Sequence, residues 1–233
     1  RKYRGKKIAY IFQEPGRSFD PLQNIQSVFE ETLRNSNKTL SDEECRRKTV
    51  ELLKEVGMPD PESRLKNFPH QFSGGQLQRI SIALSIAQGC ELLIADEPTT
   101  ALDVTIQAQI IQLLSELKEK RKLSIIFISH NIELVAQLSD RMIVMYGGKI
   151  MESGTSAQIM EDPKNPYTKA LLASSPKFGT NYATDELVSI PGKVADPAVP
   201  EPGCPFAPRC SLAKDSCRSG EDYRCYVMQG EID

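Results

Sequence analysis

The chain has 233 residues, of which 39% are hydrophobic and 26% charged, and its formal net charge is −2. This composition is typical of a soluble globular protein and excludes a disordered or fibrous chain, and the balanced charge predicts no general affinity for nucleic acid. The longest apolar runs are strand-sized, so the sequence predicts no membrane-spanning helix.

The first predicted element is a short strand at residues 8–12, which ends in the polar Gln13. Residues 25–90 then have a mainly helical pattern. Ser41 and Glu44 form a capping-box pattern that predicts the start of one helix in this region.

A second helix is predicted from Gln76 to about Gln88, directly after Ser73, Gly74 and Gly75. Free backbone N–H groups, the helix dipole and a hydroxyl meet at this point, which favours an anion such as a phosphate. The alternative is a serine N-cap followed by two flexible glycines.

Strands and helices alternate along the next part of the chain. We predict a strand at 91–96, a helix at 105–120, a strand at 124–128 and a short helix after Asn131. Strands separated by helices indicate an α/β fold with a parallel sheet. A hairpin is predicted after this region, around the Gly-Gly pair at 147–148.

Polar side chains follow three of the predicted strands: Gln13, the pair Asp96 and Glu97, and His130. Ligands of open α/β sheets gather at the carboxyl ends of the strands, so these side chains could form one site. One carboxylate could hold a cation while the other addresses a water molecule. The alternatives are a solvated strand end for the acids and a core or capping histidine for His130.

Five segments resemble, in order, the motifs of ATP-binding cassette (ABC) ATPases. They are "IFQEP" for the Q-loop, "FSGGQLQR" for the signature, "LLIADEP" for Walker B, "TALD" for the D-loop and "FISH" for the switch histidine. The resemblance covers about residues 6–153. It implies an ABC ATPase nucleotide-binding domain at 1–160, with a parallel-sheet RecA-like core and a helical subdomain at about 22–89.

One motif of the family is missing from these 233 residues, namely the phosphate-binding loop G-x-x-x-x-G-K-[ST] known as Walker A. The chain also begins at Arg1 without Met, so we expect it to start inside a domain. We therefore expect the chain alone to bind ATP feebly and to hydrolyse none.

The resemblance implies catalytic roles at the strand ends. Asp96 would hold Mg²⁺ through water, and Glu97 would be the general base that polarises the attacking water. Gln13 would contact Mg²⁺ and water and couple the site to a membrane partner. His130 would contact the γ-phosphate of ATP.

The resemblance also implies residues that act across a subunit interface. The D-loop would place Asp103 at this interface. Ser73, Gly74, Gly75 and Gln76 of the signature would close over ATP held by the opposite subunit.

After about Asp162 the sequence becomes rich in proline, and we place a second region at 161–233. Its segments "NPYTKALL", "SIPGKV" and "GCPFAPRC" resemble the C-terminal extension of the peptide and nickel importer subfamily of ABC ATPases, and within it the D-type subunit of dipeptide and oligopeptide importers. This implies an ATPase subunit that energises peptide uptake. The alternatives are a nickel or other small-solute importer, a soluble ABC protein of DNA repair or translation, and a binding module without activity.

The resemblance further implies partners and a location. The partners are a homologous ATPase subunit in a heterodimer, two transmembrane permease subunits and an extracytoplasmic peptide-binding protein, without nucleic acid. The location is the cytoplasmic face of the bacterial inner membrane, as a peripheral subunit.

Four cysteines are clustered in the last part of the chain, with 5, 6 and 7 intervening residues: Cys204, Cys210, Cys217 and Cys225. Zinc sites usually contain pairs of cysteines that are closer together in the sequence than these four. Disulfides are unusual in a reducing cytosol. Part of the subfamily is reported to carry a [4Fe–4S] cluster here, and four thiolates suit one. Zinc and free thiols are the alternatives.

Overall fold

A computed structural model describes residue 3 and residues 7–175, 189–194, 202–219 and 227–228. The structure divides into two compact units, Arg1–Leu134 and Val135–Asp233. The predicted domain boundary between residues 160 and 161 therefore lies inside the second unit and does not coincide with this division.

The first unit joins a three-stranded sheet to a group of helices. Its elements, in chain order, are β1 (Ile8–Ile11), α1 (Pro15–Ser18), α2 (Ile25–Ser36), α3 (Asp42–Glu55), α4 (Pro61–Arg64), a 3₁₀ turn (Pro69–Gln71), α5 (Gly74–Ile86), β2 (Leu92–Asp96), α6 (Val104–Arg121), β3 (Ser124–Ile128) and α7 (Ile132–Leu138), which runs past the division.

The three strands are parallel and lie in the order β1-β2-β3. In this register Ile11, Ala95 and Phe127 share one face of the sheet. Ile11 and Ala95 are fully buried, and α5 packs against β1. The predicted α/β class and parallel sheet are confirmed.

The helices α3, α5 and α6 begin at side-chain caps. The predicted capping box of Ser41 and Glu44 is present at the start of α3. The helix α5 begins at Gly74, two residues before the predicted start, because Ser73 and Gln76 also form a capping box. Asp103 caps α6 through a bond that its Oδ1 accepts from the N–H of Ile106 at 3.0 Å.

The helix α5 is buried on more than one side. Its residues Ile80, Ile82, Ala83 and Ile86 are all fully buried, so this helix is surrounded on several sides. The long helix α6 instead buries the apolar face that its period predicts, including Ile110, Leu114 and Leu117.

The second unit contains β4 (Arg141–Tyr146), β5 (Lys149–Thr155), α8 (Ser156–Glu161), α9 (Pro166–Ser174), a 3₁₀ turn (Ala207–Arg209), α10 (Ser216–Ser219) and β6 (Val227–Met228). The strands β4 and β5 form the predicted hairpin. Its turn has φ values of 56° at Gly147 and 77° at Gly148, which glycine adopts without strain. Among the described residues, no helix combines the length and the apolar character needed to cross a membrane.

Candidate active site

The three predicted strand ends of the first unit meet at Glu97. Its Oε2 accepts a hydrogen bond from Nε2 of Gln13 at 2.9 Å, and its Oε1 lies 3.3 Å from Nδ1 of His130. Gln13 follows β1, Glu97 follows β2 and His130 follows β3. The expected convergence of these side chains is therefore present.

Glu97 owes its position to an unusual backbone. Its φ is 44°, in the left-handed region that residues with a Cβ rarely adopt. The N–H of Glu97 donates to the carbonyl oxygen of Ile128 at 2.9 Å, so β3 holds the turn in place. The carboxylate consequently turns toward the site instead of continuing the alternation of β2.

A third side chain bonds to the Glu97 carboxylate. The hydroxyl of Thr100 donates to Oε2 at 2.7 Å. This bond, with smaller contributions from His130 and Gln13, holds the pKa of Glu97 below its ordinary value, against the opposite effect of burial. Glu97 is thus ionised at neutral pH and can accept a proton or orient a water molecule.

Asp96 lies beside Glu97 at the end of β2 and has a different partner. The Tyr10 hydroxyl donates to its Oδ2 at 2.5 Å, and this bond to a carboxylate raises the pKa of the tyrosine. Mg²⁺ in proteins binds one or two carboxylates together with water and substrate phosphates. The second oxygen of Asp96 and the amide oxygen of Gln13 suit such an ion, whereas no group of three or more acidic, histidine or cysteine side chains within the described ranges could enclose a metal.

The remaining predicted ATPase residues form a second group, at the starts of α5 and α6. Ser73 is engaged as the N-cap of α5, where its Oγ accepts from the N–H of Gln76 at 3.3 Å. A Cβ added at Gly75 would lie 2.8 Å from Cγ2 of Ile106, so glycine permits the first turns of α5 and α6 to touch. Gly74 and Asp103 belong to the same two turns.

Comparison with known proteins identifies the arrangement. The family model described as "ABC transporter" matches residues 1–100, and the one described as "Oligopeptide/dipeptide transporter, C-terminal region" matches residues 151–217. Residues 1–100 are therefore similar to ABC transporters, and residues 151–217 to the C-terminal region of oligopeptide and dipeptide transporters.

Relatives of the chain are named for peptide transport. The oligopeptide transport ATP-binding protein OppD of Bacillus subtilis is 48% identical over 210 residues, which are 90% of this chain and 58% of that protein. The dipeptide transport ATP-binding protein DppD of Haemophilus influenzae is 47% identical over 93% of this chain and 65% of its own. The chain spans 58% to 65% of the length of the curated relatives it matches.

A solved ABC structure agrees with the fold. The dimeric ATP-binding cassette MJ0796, bound to ADP and Pi, superposes with a TM-score of 0.58 at 29% identity, over 65% of this chain and 64% of that chain. The α/β nucleotide-binding fold that the ABC resemblance implied is therefore confirmed.

The cysteines of the C-terminal region belong to a small apolar cluster. Cys204 is buried with Phe206 and Tyr146, and Cys210 and Cys217 pack against the cluster. In the part of the chain that the structure describes, these three thiols form no group that could hold a metal ion. Cys225, the fourth predicted ligand, lies outside the described residues.

A backbone hydrogen bond joins two of these cysteines. The N–H of Cys204 donates to the carbonyl oxygen of Cys217 at 2.8 Å. Glycine precedes Cys204 because a Cβ at Gly203 would collide with that same carbonyl.

Two residues of the site were missed in the sequence. Tyr10 has the pattern of an ordinary strand residue, and only the register of β1 on β2 shows that it reaches Asp96. Thr100 was not selected because its contact depends on the left-handed turn at Glu97. One sequence signal could have indicated the contact of Thr100. Its hydroxyl lies three residues after the carboxylate of Glu97, and Pro98 directly follows that carboxylate.

Proposed function

We propose that the chain supplies the catalytic residues of the ATP-hydrolysing subunit of an ABC importer for dipeptides or oligopeptides. The observation that carries this proposal is the meeting of Gln13, Glu97 and His130 at the ends of three parallel strands. The identity of 47% to 48% with dipeptide and oligopeptide transport ATP-binding proteins supports the substrate class.

The reaction is attack of water on the γ-phosphorus of ATP, which breaks the bond to the β-phosphate and yields ADP and phosphate. Glu97 orients the water and receives its proton, because its carboxylate is ionised and only a quarter exposed, at 26%. Gln13 holds the same carboxylate from one side. His130, with a 73% exposed side chain, is free to reach the γ-phosphate.

Mg²⁺ would neutralise developing charge on the phosphates when bound. Asp96 would hold it through water, with the amide oxygen of Gln13 as a further ligand. Tyr10 donates to Oδ2 of Asp96, which leaves Oδ1 as the oxygen proposed to face the ion.

The second group of residues would serve a neighbouring ATPase subunit. Ser73, Gly74, Gly75 and Gln76 lie at the N-terminus of a 13-residue helix, where N–H groups and the helix dipole favour phosphate. We infer that they close over ATP bound to the homologous partner, with Asp103 at the interface. The close approach at Gly75 ties this group to α6, which follows the Glu97 turn.

The other proposed partners are two transmembrane permease subunits and an extracytoplasmic peptide-binding protein. The chain would sit peripherally on the cytoplasmic face of the bacterial inner membrane. The match at residues 151–217 to the C-terminal region of oligopeptide and dipeptide transporters favours this assembly over a soluble ABC protein of repair or translation. Nickel import remains the alternative substrate within the subfamily.

An iron–sulfur cluster at Cys204, Cys210, Cys217 and Cys225 stays a prediction. The described thiols do not form a metal-binding group by themselves, so no step of the mechanism involves a cluster. Anaerobically purified protein that is colourless and free of iron would refute it.

Glu97→Gln tests the proposed function in an assembled transporter whose ATPase chains also carry a phosphate-binding loop. We expect ATP turnover to fall by about 10²-fold or more, with ATP binding retained, because the amide matches the carboxylate in size but cannot accept the proton. Uptake of a radiolabelled dipeptide, compared with uptake of Ni²⁺, identifies the substrate class.

The matched control is Glu91→Gln, just before the other end of β2, where the carboxylate only pairs with Lys7 at the surface. This variant should keep wild-type turnover. Normal ATP hydrolysis by Glu97→Gln, with the partner's site disabled, would remove Glu97 from its role as base.

A further inference from the structure

The hydroxyl of Thr100 forms the shortest of the three side-chain contacts to Glu97, at 2.7 Å, compared with 2.9 Å from Gln13 and 3.3 Å from His130. Gln13 and His130 come from other strand ends. Thr100 instead belongs to the turn that Glu97 itself opens, and its N–H donates to the carbonyl oxygen of Glu97 at 3.1 Å. The turn is therefore closed through both its backbone and its side chain.

The segment that carries Thr100 is fastened to α6. Nε2 of Gln107 donates to the carbonyl oxygens of Thr99 at 3.2 Å and Leu102 at 3.1 Å. Asp103 caps the same helix, and Thr99 is buried at 4% exposure. Because the carbonyl oxygens of Thr99 and Leu102, on either side of Thr100 in the chain, are held by Gln107, the Thr100 hydroxyl has a fixed place from which to donate.

A carboxylate on a flexible side chain loses rotational freedom only where its oxygens are held. Oε2 receives two donors, Thr100 and Gln13, which together fix the position of this oxygen. Gln13 is exposed and is proposed to turn toward Mg²⁺ and water during the cycle, whereas Thr100 is half-buried in a fixed loop. Of the two donors, Thr100 is the one that can stay in place when ATP arrives.

We propose that Thr100 is a positioning residue for ATP hydrolysis: its hydroxyl, fixed by the loop that Gln107 and Asp103 fasten to α6, holds the Glu97 carboxylate in the orientation that addresses the attacking water. This inference rests on the proposed function. It also links the Asp103 segment, proposed to lie at the subunit interface, to the orientation of the base.

Thr100→Val and Thr100→Ser in the assembled transporter form the test. Valine keeps the shape of threonine and removes the hydroxyl, so kcat for ATP should fall about tenfold or more while KM changes less than about twofold. Serine restores the hydroxyl and should bring kcat back to within about threefold of wild type. Thr32→Val is the matched control, since that hydroxyl donates only within α2, to the carbonyl oxygen of Val28.

Wild-type kcat in Thr100→Val would overturn the inference. A serine variant as slow as the valine variant would also overturn it, because the methyl group and not the hydroxyl would then matter. Thr100→Ala provides a second hydroxyl deletion if Thr100→Val does not fold.

Crystal structures of the valine and serine variants decide the matter without activity. We expect the Glu97 carboxylate to rotate away from its wild-type position in Thr100→Val and to keep that position in Thr100→Ser. An unmoved carboxylate in both would overturn the inference. A wild-type assembled transporter that has its phosphate-binding loops and still hydrolyses no ATP would instead refute the proposed function, and the position of the carboxylate would still answer whether Thr100 orients it.

Discussion

Glu97 combines an unfavourable backbone with several polar contacts. A φ of 44° costs a residue with a Cβ about 1–2 kcal/mol. The bonds from its N–H to Ile128 and from Thr100 to its carbonyl offset that cost. Strained residues of this kind gather where function requires a side chain to point in a particular direction, which agrees with the role proposed for Glu97.

A second charged residue, Glu55, affects stability and not chemistry. Its carboxylate accepts bonds from Nε of Arg121 at 3.0 Å and Nη2 at 2.5 Å, and Nζ of Lys120 lies 3.1 Å away. Arg121 holds the pKa of Glu55 below its ordinary 4.5 despite partial burial. Glu55 therefore takes up its proton at a higher pH in the unfolded state than in the folded state. The contribution of the Glu55–Arg121 pair to the free energy of unfolding is complete above about pH 5, and it is lost as the pH falls through the lowered pKa.

Glu55→Gln should lower the free energy of unfolding by about 1–2 kcal/mol at pH 7 and by much less at pH 3. Urea unfolding at the two pH values measures the difference. Glu51→Gln, one turn earlier on α3, is the control, because Glu51 is exposed and lies 4.0 Å from Arg47. An equal loss of unfolding free energy at both pH values would show that the effect of Glu55→Gln does not come from the charge of the carboxylate.

Sequence patterns could predict a site residue where its position depends only on the strand or helix to which it belongs. Gln13, Glu97 and His130 each follow a predictable strand, and parallel strands bring their carboxyl ends to one edge. Thr100 and Tyr10 could not be predicted in this way. Their contacts depend on a left-handed turn and on the pairing of β1 with β2, and neither is encoded in local periodicity.

Among the elements, α5 and α6 define the geometry of the second group of residues. Gly75→Ala would place a methyl group 2.8 Å from Cγ2 of Ile106, whereas Gly74→Ala meets only ordinary contact, 3.6 Å from Cδ2 of Leu102. Overpacking costs about 1–3 kcal/mol, and replacing glycine in a helix gains about 0.4–1 kcal/mol. We therefore expect Gly75→Ala to lower the melting temperature and Gly74→Ala to keep or raise it.

The double variant Gly75→Ala with Ile106→Ala separates the steric effect from helix propensity. Removing the branched side chain should cancel most of the loss caused by the added methyl group. Equal melting temperatures for Gly75→Ala and Gly74→Ala would show that the two helices can move apart without cost.

Element boundaries were predictable where a cap is visible in the sequence. The start of α3 follows its Ser41–Glu44 box. The start of α5 was predicted two residues late, because its two glycines have low helix propensity and suggested a loop. The capping box of Ser73 and Gln76 overrides that propensity and starts the helix at Gly74. The Cys-containing region has little periodicity, and its structure depends on contacts such as Arg209 donating to the carbonyl oxygens of Ile190 and Pro191.

At the scale of the whole molecule, the two family matches fall on different parts of the chain. The ABC transporter match ends at residue 100 and the transporter C-terminal match begins at 151. The division at Leu134 and Val135 lies between them. The predicted boundary at 160/161 rests on a change in proline content along the sequence. The division into compact units depends instead on contacts such as the pairing of β4 with β5, which keeps both strands in the second unit.

The last prediction concerns nucleotide binding by the 233-residue chain. No segment of it fits G-x-x-x-x-G-K-[ST], whose backbone N–H groups and lysine supply most contacts to the phosphates. The signature helix can attract an anion, but it acts on a neighbouring subunit in the proposed assembly, and the site around Glu97 is acidic. We therefore expect calorimetry to detect only feeble ATP binding, weaker than about millimolar, and no hydrolysis.

The oligopeptide transport ATP-binding protein OppD of Bacillus subtilis, titrated under the same conditions, serves as the positive control. Low-micromolar affinity in the 233-residue chain would contradict this expectation, because the phosphates would then be held by residues other than those of a phosphate-binding loop.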